Sequence, residues 1–409
     1  MEIRPTTDDD LELFVDTLHM AFGKFPEPPV AGDGRWWSAL EMDRGLMALG
    51  ADGRPVGTAG AYSLDLTLPG GALTPVAGVT GVGVVPSHRR RGVLTALMRR
   101  QLADVRARGE FLSVLLASEA AIYGRFGYGP ATFTTRLAVT RHRAAPAAPR
   151  ARTTPQETGA DTGSVEVLRR SDCGEVLEQV YDRYRRAQHG ALSRPHRWWA
   201  RGAGQPPVSE APRYVAVHRG ADGTPDGYAS YSIGGDPATL TVDETITADD
   251  TVYTALARFA LGHDLITRAV FRHVPPDHPL RWQLADLRAG EVTEHSDWLW
   301  VRLLDIPRAL TARRWSADGE LVLDVDDPFL TEQGRYLLTV RDGEAACEPT
   351  DREPDLSMDV RDLGSLYLGG VAPSTLVRAG HVRAHHAEAS ARADALFRTE
   401  RAPHCLHWF

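Results

Sequence analysis

Three arginines and a glycine stand between an apolar run and a helical pattern, as His88-Arg89-Arg90-Arg91-Gly92-Val93-Leu94. The Val-rich run VTGVGVV (79–85) reads as a strand that delivers the chain to this turn. A long amphipathic helix from about Arg90 to Arg108 reads as leaving it. The first amides of a helix have no carbonyl partner, and a glycine lets a ligand approach the backbone closely. With guanidiniums beside them, such amides make an anion site that fits a pyrophosphate. By its letters alone the run also reads as a solvated surface patch. A P-loop is excluded, because GxxxxGK followed by Ser or Thr is absent. The glycines of VTGVGVV lie inside the strand and not before a helix, which disfavours a dinucleotide fold.

A second group of candidates follows the short apolar strand FLSVLLA (111–117): Ser118-Glu119, then Ile122-Tyr123-Gly124-Arg125-Phe126-Gly127-Tyr128-Gly129. A phenol with a pKa of about 10 is a workable proton donor. A hydrogen-bonded loop tyrosine has the same letters. Phe22, Phe25, Trp36 and Trp37 supply aromatic faces early in the chain, for a core or for a cation by cation–π attraction. His381 and His385 lie i, i+4 in a helical pattern (about 374–398), either half of a zinc site or a solvated helix face, and no HExxH occurs. Asp324, Asp326 and Asp327 do not match an EF-hand loop. For Glu41 and Asp65 the sequence alone indicates no role.

The elements that must position these groups alternate as strand and helix. MEIR opens as a strand, and Leu11, Phe14, Val15, Leu18 and Phe22 recur at helical spacing behind Thr7-Asp8-Asp9-Asp10. LMALGADGRPVGTAGAYSLDLTL reads as a hairpin with Asp52-Gly53 at its turn. ATFTTRLAV (131–139) alternates and closes the unit. Domain boundaries are read as 1–140, an Ala/Pro/Thr/Gly-rich linker at 141–164, a second α/β unit at 165–291, and a third segment at 292–409.

The first two units repeat. Arg35-Trp36-Trp37 recurs as Arg197-Trp198-Trp199, GADGRPVGTAGAYSL (50–64) as GADGTPDGYASYSI (220–233), and TALMR (95–99) as TALAR (254–258). Aligned through Thr95 and Thr254, Arg89 to Gly92 become Ala248, Asp249, Asp250 and Thr251. Carboxylates there repel a pyrophosphate, so the second copy is expected to bind none.

Arg89 to Leu94 resemble the acetyl-CoA pyrophosphate loop of GNAT-superfamily N-acetyltransferases, whose pattern is Gln/Arg-x-x-Gly-x-Gly/Ala. Leu94 departs from it in the last place. Ser118-Glu119, IYGRFGYG and the aromatic C-terminus narrow the resemblance to the enhanced intracellular survival (Eis) family, over the whole chain. The fold this implies is α/β (α+β): two tandem GNAT-like domains followed by a sterol carrier protein-like domain. The resemblance assigns Val82, Gly83 and Val84 to the pantetheine amides. It gives Arg90, Arg91, Gly92, Val93, Leu94 and Thr95 to the pyrophosphate, with Ser118 and Glu119 also lining the cofactor. Tyr123 becomes the general acid for the departing CoA thiolate. The carboxylate of Phe409 becomes the general base, so the end of the chain enters the active site. A free α-carboxylate has a pKa of about 3.5, low for this task unless burial raises it or water mediates. Phe22, Trp36, Trp37 and Trp408 are expected at the acceptor. The implied acceptors are cationic polyamines of the aminoglycoside kind or lysine side chains, and the implied assembly is a hexamer. The competing function is a lipid- or acyl-CoA-binding protein without turnover.

Composition is consistent with an enzyme of small molecules. The 409 residues carry 46 Lys+Arg and 54 Asp+Glu, a net charge of −8. That charge disfavours duplex nucleic acid and weakly favours a cationic acceptor. Lys24 is the one lysine, which makes a Schiff-base mechanism improbable. Cys173, Cys347 and Cys405 are too scattered for a disulfide framework or a metal knuckle. No signal peptide or membrane span is read, and the chain reads as soluble and cytoplasmic.

Overall fold

The computed structural model describes residues 1–24, 39–144, 163–199, 213–235 and 237–409. The first stretch builds β1 (Glu2–Pro5), α1 (Leu11–Phe22), β2 (Leu46–Leu49), β3 (Pro55–Thr67), β4 (Leu73–Val84), α2 (Val93–Ala107), β5 (Leu112–Leu116), the single turn α3 (Ala120–Tyr123) and β6 (Gly129–Pro130). The next builds β7 (Phe133–Thr140), β8 (Ser164–Arg169), α4 (Val176–Ala187), α5 (His196–Trp199), β9 (Tyr214–Arg219), β10 (Pro225–Gly234), β11 (Thr239–Thr247), α6 (Asp250–Leu261), β12 (Arg268–Val274) and β13 (Gly290–Asp297). The last builds β14 (Leu299–Leu303), α7 (Ile306–Ala312), β15 (Gly319–Asp327), β16 (Glu332–Arg341), β17 (Glu344–Pro349), β18 (Leu356–Asp359), α8 (Val360–Leu366), α9 (Pro373–Arg378), β19 (Arg383–Ala384) and α10 (Ala389–Phe397).

These elements form two compact units. One comprises Met1–Thr132, Trp298–Glu400 and Trp408–Phe409, the other Phe133–Asp297 and Arg401–His407. The first unit holds a seven-stranded sheet in the order β1-β2-β3-β4-β5-β14-β6 and a five-stranded sheet in the order β17-β16-β15-β18-β19. In its larger sheet β3 and β4 are antiparallel, and α2 crosses over to a parallel β5. One face of α2 is buried through Val93, Leu97, Met98, Leu102 and Val105, at three- and four-residue steps. The second unit repeats the motif. β10 and β11 are antiparallel, and α6 crosses over to a parallel β12, in a sheet ordered β13-β7-β12-β11-β10-β9-β8.

Three sequence expectations are revised. ATFTTRLAV does not close the first sheet: β7 pairs with β12 and β13 in the second. The place beside β5 is taken instead by β14, from the segment assigned to the third domain, while β13, also partly from that segment, joins the second sheet. An alternating strand pattern shows which face is buried but not which edge it will pair with. The Ala-rich helix is two helices, α9 and α10, because the chain turns at Gly380 with φ +77. Accordingly His381 and His385 share no helix face. His381 bonds to Asp362 and His385 to Ser357. Among the described residues no group of His, Cys, Asp and Glu could hold a metal, and no helix is long and apolar enough to cross a membrane.

Candidate active site

The parallel pairing of β4 with β5 runs only from Ala77–Ser113 to Val79–Leu115. Beyond Val79 the two strands part, leaving Thr80–Val84 bonded on one side only, to β3. A cavity of about 620 Å³ opens there. Its wall takes Val82, Gly83 and Val84 from β4, and Arg90, Gly92, Val93, Leu94 and Thr95 from the start of α2. Ser118, Glu119 and Tyr123 enter from beyond β5, and Phe22 from the end of α1. Arg91, Trp408 and Phe409 are not part of that wall. Trp36 and Trp37 lie outside the described residues, as does Phe25.

The turn before α2 has the backbone of an anion cradle. Arg90 has φ +60 and Gly92 φ +81, both left-handed, so successive amides converge before the helix begins. A Cβ at Gly92 would meet no atom within 4 Å. Space is therefore free above it, and glycine is there for its φ and for close approach. The helix has no side-chain cap to satisfy its first amides. Unpaired amides, a helix N-terminus and guanidiniums together are the donor set that a pyrophosphate accepts from, so the residues present fit such a group.

The opposite wall positions a phenol. Tyr123 ends α3 and is 8% exposed. Burial raises its pKa, a hydrogen bond with Ser118 lowers it, and the nearby Glu119 charge raises it, with a net shift upward. The proton therefore stays on the oxygen through neutral pH. The ring meets Tyr128 edge-on, with centroids 6.2 Å apart, and the Tyr128 hydroxyl is 2.7 Å from that of Ser113. The turn is anchored at Gly127, with φ +81, where a Cβ would lie 2.6 Å from the Arg302 guanidinium. Arg302 is itself buried and paired with Asp327.

Phe409 sits in the same unit. Its ring meets Tyr62 edge-on at 6.3 Å, and a Cβ at Gly78 would lie 3.2 Å from it. Tyr62 and Gly78 are register partners on β3 and β4. Trp408 is 40% exposed.

Sequence reasoning missed five wall residues: Ala21, His88, Arg89, Ile122 and Arg125. Arg125 lies within IYGRFGYG and His88 beside the arginine run, so both were within reach of the motifs. Ala21 had no local signal, and nothing local showed the contacts of Arg89. Arg89 donates to the carbonyl oxygens of Ala21 (2.6 Å) and Val84, tying α1 to β4 at the cavity. Glu41, given no role above, accepts from both the amide and the hydroxyl of Ser63.

In the second copy the helix start is chemically reversed. The Asp249 side chain accepts from the Thr251 amide at 2.6 Å, filling with a carboxylate the place an anion would need.

Two acetyltransferase (GNAT) domain models match residues 2–131 and 190–303, and a sterol carrier protein domain model matches residues 306–406. The chain is 37% identical to an N-acetyltransferase of Streptomyces coelicolor, over all of both chains. It is 34% identical to N-acetyltransferase Eis of Mycobacterium tuberculosis, covering 97% of this chain and 96% of that one. The crystal structure of Eis1 from Mycobacterium abscessus superposes with a TM-score of 0.86 at 35% identity, over all of both chains.

Proposed function

Because the chain belongs to the Eis family of GNAT-type N-acetyltransferases, we propose that it acetylates primary amines of cationic acceptors by direct transfer within a ternary complex. Acetyl-CoA is its cosubstrate. The cavity between the parted ends of β4 and β5 is the observation that carries this reading, since it holds an anion cradle at one side and a buried phenol at the other. In it Val82 to Val84 would pair with the pantetheine amides, and Arg90 to Thr95 would hold the pyrophosphate. Ser118 and Glu119 would line the thioester end.

The acceptor nitrogen attacks the thioester carbonyl carbon and the new C–N bond forms. The C–S bond then breaks, and Tyr123 hands its proton to the departing sulfur. The ammonium loses a proton to the Phe409 carboxylate, directly or through water. Most of the acceleration comes from holding amine and thioester together. Phe22, with Trp36, Trp37 and Trp408, would receive the cation on aromatic faces. Aminoglycoside-like polyamines fit that requirement, as do lysine side chains. An assembly of six copies goes with this reading, and the solution mass tests it.

A thiol-release screen of polyamines and lysine peptides, with an untagged C-terminus, tests the function directly. Release with any of them supports it. A retained lipid and no thiol release with any amine would favour a carrier instead. Adding one residue after Phe409 is expected to lower turnover at least about a hundredfold, the low end for loss of a positioned base, with acetyl-CoA affinity unchanged. Full activity of the extended chain removes the tail from the chemistry.

Titration with CoA is expected to saturate at one equivalent per chain, because only the first copy keeps the Arg-Gly turn. A second equivalent would contradict the reading of Asp249 and Asp250.

A further inference from the structure

The second copy keeps the architecture of the cofactor cavity but not its chemistry. β11 and β12 pair in parallel from Thr239–Arg268 to Val242–Phe271 and then part, as β4 and β5 do. In the first copy the cavity wall comes from the start of α2, the turn beyond β5 and the end of α1. The equivalents in the second copy are the start of α6, the turn beyond β12 and the end of α4. All three hold a single extended segment of the chain, Arg401–His407.

The contacts fall on the equivalent elements. Arg401 forms a two-pronged ion pair with Asp250, at 2.9 and 3.0 Å, and Asp250 is the counterpart of Arg91. The Ala402 amide donates to Asp277 at 2.6 Å. Asp277 lies beyond the end of β12, as Ser118 lies beyond the end of β5. At the end of α4, Gln188 donates to the Ala402 carbonyl and the His404 amide donates to the carbonyl of His189. The His404 ring meets the Tyr184 hydroxyl at 3.2 Å, and Leu406 completes an apolar cluster with Val215, Val217 and Ile246. Polarity is inverted along with occupancy. The first copy offers cations to an anion, and the second offers carboxylates to a guanidinium and an amide.

We infer that the second copy's former acetyl-CoA groove has become a receptor for the chain's own C-terminal segment, which takes the path of a cofactor and is held by Asp250 and Asp277. The segment ends two residues before the Phe409 carboxylate, so its anchoring bears on the general-base reading proposed above, and that link alone rests on that reading.

Hydrogen exchange on the full chain tests the receptor. The Ala402 and His404 amides are expected to be protected. The pair Asp250→Ala with Asp277→Ala should speed their exchange about tenfold or more, as two lost charge-assisted contacts would. Amides of β10 and β11 should keep their protection, which separates release of the segment from unfolding. Asp250→Arg alone should release it, and Arg401→Asp added to Asp250→Arg should restore it. Free-peptide exchange in the unaltered chain, or no change in the double variant, would overturn the inference. Thiol release by the same variants separates the two readings. Faster exchange with unchanged turnover leaves the receptor standing and removes Phe409 from the chemistry.

Discussion

Replacing Tyr123 by phenylalanine is expected to lower kcat by about two to four orders of magnitude, the usual worth of a positioned general acid. The phenyl ring keeps the edge contact with Tyr128 and the buried site. Only the oxygen and its hydrogen bond with Ser118 are removed. The affinity for acetyl-CoA, which the proposed site assigns to the Arg-Gly turn across the cavity, should change by no more than about twofold. A pH profile adds a second test. Burial raises the Tyr123 pKa above the ordinary phenol value of about 10. The acid therefore keeps its proton across neutral and mildly alkaline pH, and activity should not fall there through loss of that proton. A kcat within tenfold of the unaltered enzyme would mean that the thiolate leaves unassisted and that Tyr123 is a structural hydroxyl.

Acid is expected to unfold the unit formed by Phe133–Asp297 and Arg401–His407 well before it disturbs an ordinary globular fold. That unit holds His404 and His407 buried and His273 and His278 half-buried, all as neutral rings. Burial lowers His273 and His278 to about 4, with the charge of Arg272 adding to the effect at His273. Burial lowers His404 to about 3, helped by repulsion from His273 and His278. His407 is held well below its ordinary value, chiefly by burial. In the unfolded chain these rings titrate near 6.5. Between that pH and the folded values the unfolded state binds more protons, so stability falls as pH falls. Each such histidine costs about 1.4 kcal/mol per pH unit, and the three with stated values together cost on the order of 5 kcal/mol at pH 5. Urea unfolding followed at pH 7.5 and pH 5 measures this. An unchanged midpoint would contradict the burial of the rings in solution, and His404→Asn should flatten the dependence.

The most legible parts of this protein are those governed by neighbours in sequence. The turn at Arg89–Gly92 is one, because a left-handed glycine between an apolar strand and an amphipathic helix is a local arrangement. The short apolar strand that precedes IYGRFGYG is another. Duplication was also readable, since three short matches at a nearly constant offset need no structure to align, and the loss of the anion cradle in the second copy followed from Asp249 and Asp250 alone. Side chains reaching across the fold were not legible. Arg89 joins the cavity by binding Ala21, 68 positions away, and Glu41 finds Ser63, 22 positions away.

The sequence by itself determined that the chain holds two copies of one α/β unit and a third segment, and it singled out the Arg-Gly turn and Tyr123 as candidates. Only the tertiary structure decided that β7 leaves the first sheet and β14 enters it, and that the C-terminal segment lies in the second copy's groove. Local pattern reports which face of a strand is apolar and where a helix begins. Which edge a strand pairs with, and what fills a groove, depend on surfaces that exist only once distant segments have met.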